Sequence, residues 1–104
     1  MGSTTRSAHM NFIDLDASGW KTSLDFYEAI LAAIGAPRWH GRNVNALIDS
    51  MIYGGISELE PPFTVRITSA ENLPAEAREE LVFVILAMAE QQGTDKIVQF
   101  QGTI

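Results

Sequence analysis

The chain has 104 residues, 46% of them hydrophobic, which is enough for one modest core and too few for two. Acidic residues outnumber basic ones 13 to 7, for a net charge of −6, which repels phosphate backbones at long range and argues against nucleic-acid binding. Cysteine is absent, so disulfides, thiol catalysis and thiolate zinc sites drop out together, as suits a reducing cytoplasm.

The first residues, "MGSTTRSAHM", are small and polar and read as an expression leader over residues 1–9, with Met10 as the native start. No apolar run reaches the roughly 18 residues of a membrane span, so the expectation is a soluble domain over residues 10–104. "NFIDL", Asn11 to Leu15, reads as a strand, and "DASGW" as the turn after it.

"TSLDFYEAILAAIG" then carries a helix over residues 22–34. Thr22 and Asp25 match a capping box. Leu24, Tyr27, Leu31 and Ile34 recur at helical spacing, and Gly35 and Pro37 stop the run. After the connector "APRWHG", Asn43 is placed to cap a second helix. Its stripe of Val44, Leu47 and Met51 is expected to face the core, with Ile48 on the border and Asn45, Asp49 and Ile52 turned outward. Gly54 and Gly55 end it. "ISELEPP" reads as a loop or short helical turn, and "FTVRITS" as a strand rich in β-branched residues.

Pro74 suits the first turn of a third helix, whose acidic start fits its positive end. "EELVFVILAMAEQQG" is apolar nearly all round, through Leu81, Val82, Phe83, Val84, Ile85, Leu86 and Met88, so this helix is expected to be mostly buried. Gly93 closes it, and "DKIVQFQ" is the last strand. The order β-α-α-β-α-β implies an α/β fold with a three-stranded parallel sheet packed by helices.

Catalytic groups are scarce. Outside the leader His40 is the only histidine. Ser50 and Ser57 have no evident base, and no nucleophile elbow or phosphate loop is present. Asp14 and Asp16 are too few for a metal site and read as turn residues. Neither cofactor nor metal is expected. Arg38 and Arg42 flank Trp39 and His40, but two arginines on an acidic chain make a poor nucleic-acid surface. An aromatic, arginine-bearing loop leading into a half-polar helix suits contact with another protein, and equally an ordinary half-buried helix with no such role.

"WHGRNVNALIDSM", from Trp39 to Met51, resembles the signature of the barstar family, the intracellular inhibitors of the ribonuclease barnase. That signature runs aromatic pair, glycine, any residue, asparagine, aliphatic, aspartate, alanine, leucine, tryptophan, aspartate. Trp39, His40, Gly41, Asn43, Val44, Ala46, Leu47 and Asp49 match it. The element order and "GTD", Gly93 to Asp95, are also similar to the family.

The resemblance implies a barstar-like fold and a non-enzymatic inhibitor that plugs the active site of a cognate toxin, a nuclease, in the cytoplasm. It makes Trp39, His40, Gly41, Arg42, Asn43, Asn45, Ile48, Asp49 and Ile52 the partner-binding residues. Asp49 takes the place of substrate phosphate, a role that bidentate bonding to arginine suits. The free chain is expected to be a monomer that binds neither nucleic acid nor membrane.

This sequence departs from the family at three acidic or aromatic positions. Asn45 and Ile48 stand where the family has aspartate and tryptophan, and Met88 falls near an acidic position of the last helix. These changes point away from barnase itself and toward another toxin. A regulatory or scaffold module on the same fold is the alternative reading.

Overall fold

Ile13 and Leu15 alternate with Phe12, Asp14 and Asp16 along the first strand, and that period of two decides which face of the sheet is covered. In the computed structural model, which describes residues 11–95 and 97–102, Ile13 and Leu15 are buried while Phe12, Asp14 and Asp16 are exposed. The expected leader, residues 1–9, lies outside the described residues.

The elements are β1 (Asn11–Asp16), α1 (Ser23–Ile34), α2 (Val44–Ile48), β2 (Phe63–Thr68), α3 (Ala75–Gln92) and β3 (Val98–Gln101). A short 3-10 turn, Ala17–Gly19, follows β1, and a π-helical turn, Asp49–Tyr53, continues α2. The strands form one parallel sheet in the order β1-β2-β3, with Asn11 opposite Phe63 and Phe63 opposite Val98. Both crossovers are helical, as parallel pairing requires. The fold class is therefore α/β with a three-stranded parallel sheet, in agreement with the sequence pattern.

The core lies between the helices and one face of this sheet. Phe63, Val65 and Ile67 of β2 join Phe26, Ile30 and Ile34 of α1, Leu47 and Met51, and Leu81, Val84 and Met88 of α3 in a continuous apolar cluster. On the opposite side of the sheet, Arg66 bonds Asp14 through two nitrogens at 2.7 and 3.1 Å and lies 4.8 Å over the Phe12 ring. An exposed ion pair and a cation–π contact occupy a face that a doubly wound sheet would cover with helices.

Each end of α1 forms as its sequence implies. The capping box of Thr22 and Asp25 is present, and Asp25 accepts the Lys21 and Thr22 backbone N–H groups at 2.7 and 3.1 Å. Those donors hold the Asp25 carboxyl below its ordinary range. Gly35 closes the helix in the left-handed conformation, φ 70°. Against α3, Ser23 donates to Glu76 at 2.9 Å and the Tyr27 hydroxyl donates to Glu80. Burial, and then the Glu80 carboxylate, push the Tyr27 hydroxyl well above the usual phenol range.

The third helix corrects one expectation. It is not mostly buried: Phe83 is 52% and Leu86 63% exposed, and Val82 is exposed beside them. The sheet has one helical layer, so only the stripe Ala77, Leu81, Val84 and Met88 finds a core to enter. Apolar composition all round the helix does not create a second layer to receive it. No helix among the described residues is long and apolar enough to cross a membrane.

Candidate functional site

Between α1 and β2 the chain folds a tight loop and a helix that changes its winding. The His40 N–H donates to the Pro37 carbonyl at 3.0 Å and closes the loop. Asn43 then caps α2, its side-chain oxygen accepting the Ala46 N–H at 2.9 Å. Gly41 is wedged against this cap, where a Cβ would lie 3.0 Å from the Asn43 amide nitrogen. Gly41 and Asn43 thus shape the loop locally, and the Asn43 cap is the one its position implied.

After Ile48 the hydrogen-bond ladder slips by one residue. The Gly54 N–H reaches back to the Asp49 carbonyl at 3.0 Å, a five-residue π bond. A wider turn rotates less per residue, which keeps Met51 in the core and brings Ile52 in beside it. Both are buried. This corrects the expectation that Ile52 faces outward, which rested on regular α-helical spacing. Leu47 is fully buried, while Val44 and Ile48 are partly buried against the core.

His40 is also not on the surface. Its side chain is 3% exposed, with Nδ1 2.7 Å from the Gly41 carbonyl and Nε2 hydrogen-bonded to the Ser50 hydroxyl. A carbonyl only accepts, so Nδ1 carries a proton, and in the neutral ring Nε2 accepts from Ser50. Ser50 therefore has the imidazole partner that ten residues of separation concealed in the sequence. It is itself only 1% exposed. A serine–histidine pair shut away from solvent has no room for a substrate and works here as a structural bond.

The residues of this segment at the surface include Trp39, 76% exposed, together with Arg38, Arg42, Asn43, Asn45, Asp49 and Tyr53. Arg42 pairs with Glu28 of α1 at 2.6 Å and also donates to the His40 carbonyl at 3.3 Å. The pair is solvent-exposed and adds little stability, but it ties the loop to the first helix and cancels one of its positive charges. Asp49 has no recorded side-chain partner among the described residues, so its carboxylate stands free at the start of the π turn.

Tyr53, 64% exposed, was not singled out by sequence; its hydroxyl accepts a bond from Gln91 of α3. An aromatic immediately before a glycine pair was the only available signal. Met88 is fully buried and adds nothing to this surface. No group of three or more metal-ligating side chains occurs among the described residues. Asp16 makes a turn, accepting the Ser18 N–H at 3.0 Å, and that bond holds its carboxyl below the ordinary range.

The assembled surface is therefore an exposed indole, a free carboxylate, an amide and a phenol, carried on a loop and helix whose other side is fixed in the core. It offers groups of the kinds that serve recognition. Residues 10–103 match a family model described as Barstar (barnase inhibitor). None of the curated proteins matches the chain.

Proposed function

The chain belongs to the barstar family, whose members are ribonuclease inhibitors rather than enzymes, and from that premise we propose that it is an immunity protein. Its partner is a nuclease toxin, held inactive in the cytoplasm of the cell that makes both. The contact surface is Trp39, Arg42, Asn45, Asp49 and Tyr53, with Ile48 at its edge. His40, Gly41, Asn43 and Ile52 lie beneath or within it and hold its shape. Such an interface would bury roughly 800 Å² on this side.

What supports this reading is the exposed Asp49 carboxylate, without a side-chain partner among the described residues, on a segment whose preceding loop exposes Trp39. A phosphate-binding cleft is lined with cationic donors, and a carboxylate can take two of them at once. Rigid aromatics and central charges of this type dominate the energy of protein interfaces, and barnase–barstar is the standard worked example of such a hot-spot carboxylate. Asn45 and Ile48 replace an acidic and an aromatic group, so specificity differs from that for barnase.

The test is a fluorogenic RNA-cleavage assay with the products of the genes adjacent to this one, paired with their co-expression with the chain in cells. The chain should abolish cleavage at a one-to-one ratio and protect the cells. Unchanged cleavage at a large excess of the chain would refute the proposal.

A further inference from the structure

We propose that the outer face of α3 is a second docking surface. It receives a helical segment of another protein that is apolar along one side and carries lysine or arginine beyond each end of that side. The surface is the stripe Val82, Phe83 and Leu86, closed at its two ends by Glu79 and Glu90. It does not depend on the inhibitory reading, since it uses none of the residues assigned to the nuclease.

The stripe is what a sheet with one helical layer leaves over. Val82 is 40%, Phe83 52% and Leu86 63% exposed. Glu79, Val82, Phe83, Leu86 and Glu90 recur at i, i+3, i+4, i+7 and i+11, so they share one side of the helix. α3 is unbroken from Ala75 to Gln92, which makes that side continuous. Single exposed apolar residues are ordinary, but three large ones grouped on one helix face are the usual mark of a contact surface. α3 turns a different side to the Trp39–Asp49 surface. Gln91, which donates to Tyr53, lies about 140° round the helix from Leu86 at roughly 100° per residue.

The charges at its ends decide what covers the stripe. Glu79 and Glu90 are exposed, and neither has a side-chain partner among the described residues. Arg78, the only base on α3, is turned back to donate to the Ala70 and Glu71 carbonyls at 3.0 and 3.2 Å, so it neutralises neither. A second copy of the chain would bring like charges together. Antiparallel pairing about the centre of the stripe sets Phe83 on Leu86 and Glu79 on Glu90; parallel pairing sets each glutamate on its own equivalent. Like charges so placed are repulsive. An anionic lipid surface is repelled in the same way.

A helix with basic residues at both ends of an apolar side satisfies all of these groups at once. Its apolar side covers Val82, Phe83 and Leu86, and its bases meet Glu79 and Glu90, which stand about 16 Å apart along the helix axis. Apolar burial supplies the attraction, while the two carboxylates fix the register and reject acidic helices. Val82, Phe83 and Leu86 lie outside the core cluster, so they can be changed without disturbing the fold.

The probe is a synthetic amphipathic helix of leucine and lysine, its leucines spaced like the stripe and its lysines beyond both ends, titrated into the full chain and followed by NMR. The amides of residues 79–90 should shift. The same peptide with glutamate for lysine, or with its residues in scrambled order, should bind at least about tenfold more weakly. Phe83→Ser and Leu86→Ser should melt like the wild type and each weaken binding about tenfold. Glu79→Lys combined with Glu90→Lys should reverse the preference, toward the glutamate peptide. Equal binding of the scrambled peptide, or shifts that spread over other acidic residues and leave 79–90 still, would overturn the proposal. A dimer in sedimentation that Leu86→Ser dissolves would overturn it in favour of a second copy, and Leu86-dependent binding to phosphatidylserine vesicles in favour of a membrane.

Discussion

α1 and the segment from Asn43 to Tyr53 are neighbouring amphipathic stretches, yet they are held by different means. α1 runs from its capping box to its left-handed glycine and buries Phe26, Tyr27, Ile30, Leu31 and Ile34. Leu24, which the spacing grouped with Tyr27, Leu31 and Ile34, is exposed because the first turn overhangs the core. The second segment starts as a five-residue helix, changes to π winding, and buries Ser50 against His40 of the preceding loop. The first is a framework element whose local and global preferences agree. The second breaks a local rule just where Asp49 stands exposed, and such breaks are often found at functional sites.

The sharpest way to break this contrast is to remove one buried isoleucine from each segment. Ile30→Ala in α1 and Ile52→Ala in the π turn should each cost about 2–5 kcal/mol in denaturant unfolding. A negligible cost at Ile52 would mean that the segment is an ordinary α-helix with Ile52 in solvent. The closing glycines come next. Gly35 and Gly54 have φ of 70° and 76°, and an added Cβ would lie 2.7 Å from the Glu58 Cβ and 2.6 Å from the Glu60 carboxylate. Alanine at either should lower stability by about 1–2 kcal/mol from the backbone conformation alone.

Smaller effects separate the helix starts. Asn43→Ala should cost about 1 kcal/mol by removing the only side-chain cap of α2, read from thermal melts. For α1 the signature is pH. Asp25 has a carboxyl lowered by the Lys21 and Thr22 N–H groups. Its contribution is complete above the ordinary carboxylate range and is lost as pH falls through the lowered folded value. Asp25→Asn should flatten that part of the acid-unfolding curve, and an unchanged curve would show that the cap is not coupled to folding.

The same contrast explains what could be read from residues alone. Strand alternation, the capping box and Gly35 act over a few residues, so β1 and α1 were legible almost to their ends. Asn45 and Asp49 were correctly expected at the surface because α2 keeps regular winding as far as Ile48, and Trp39 lies exposed in the loop before it. Ile52 was misplaced because a slip in the hydrogen-bond ladder leaves no mark in a hydrophobic pattern. His40 was misplaced because its partner depends on how the loop folds back on the helix. The exposed face of α3 was misread because composition cannot tell how many layers a sheet will have.

The central claim is that Asp49 and Trp39 form the recognition surface while contributing little to the fold. Isothermal titration of a ribonuclease that the chain inhibits into the wild type, Asp49→Ala and Trp39→Ala, alongside thermal melts of each, tests it most directly. Each variant should keep its stability within about 0.5 kcal/mol and lose at least about 2 kcal/mol of binding free energy. Wild-type affinity in the double variant, with the fold intact, would contradict the account.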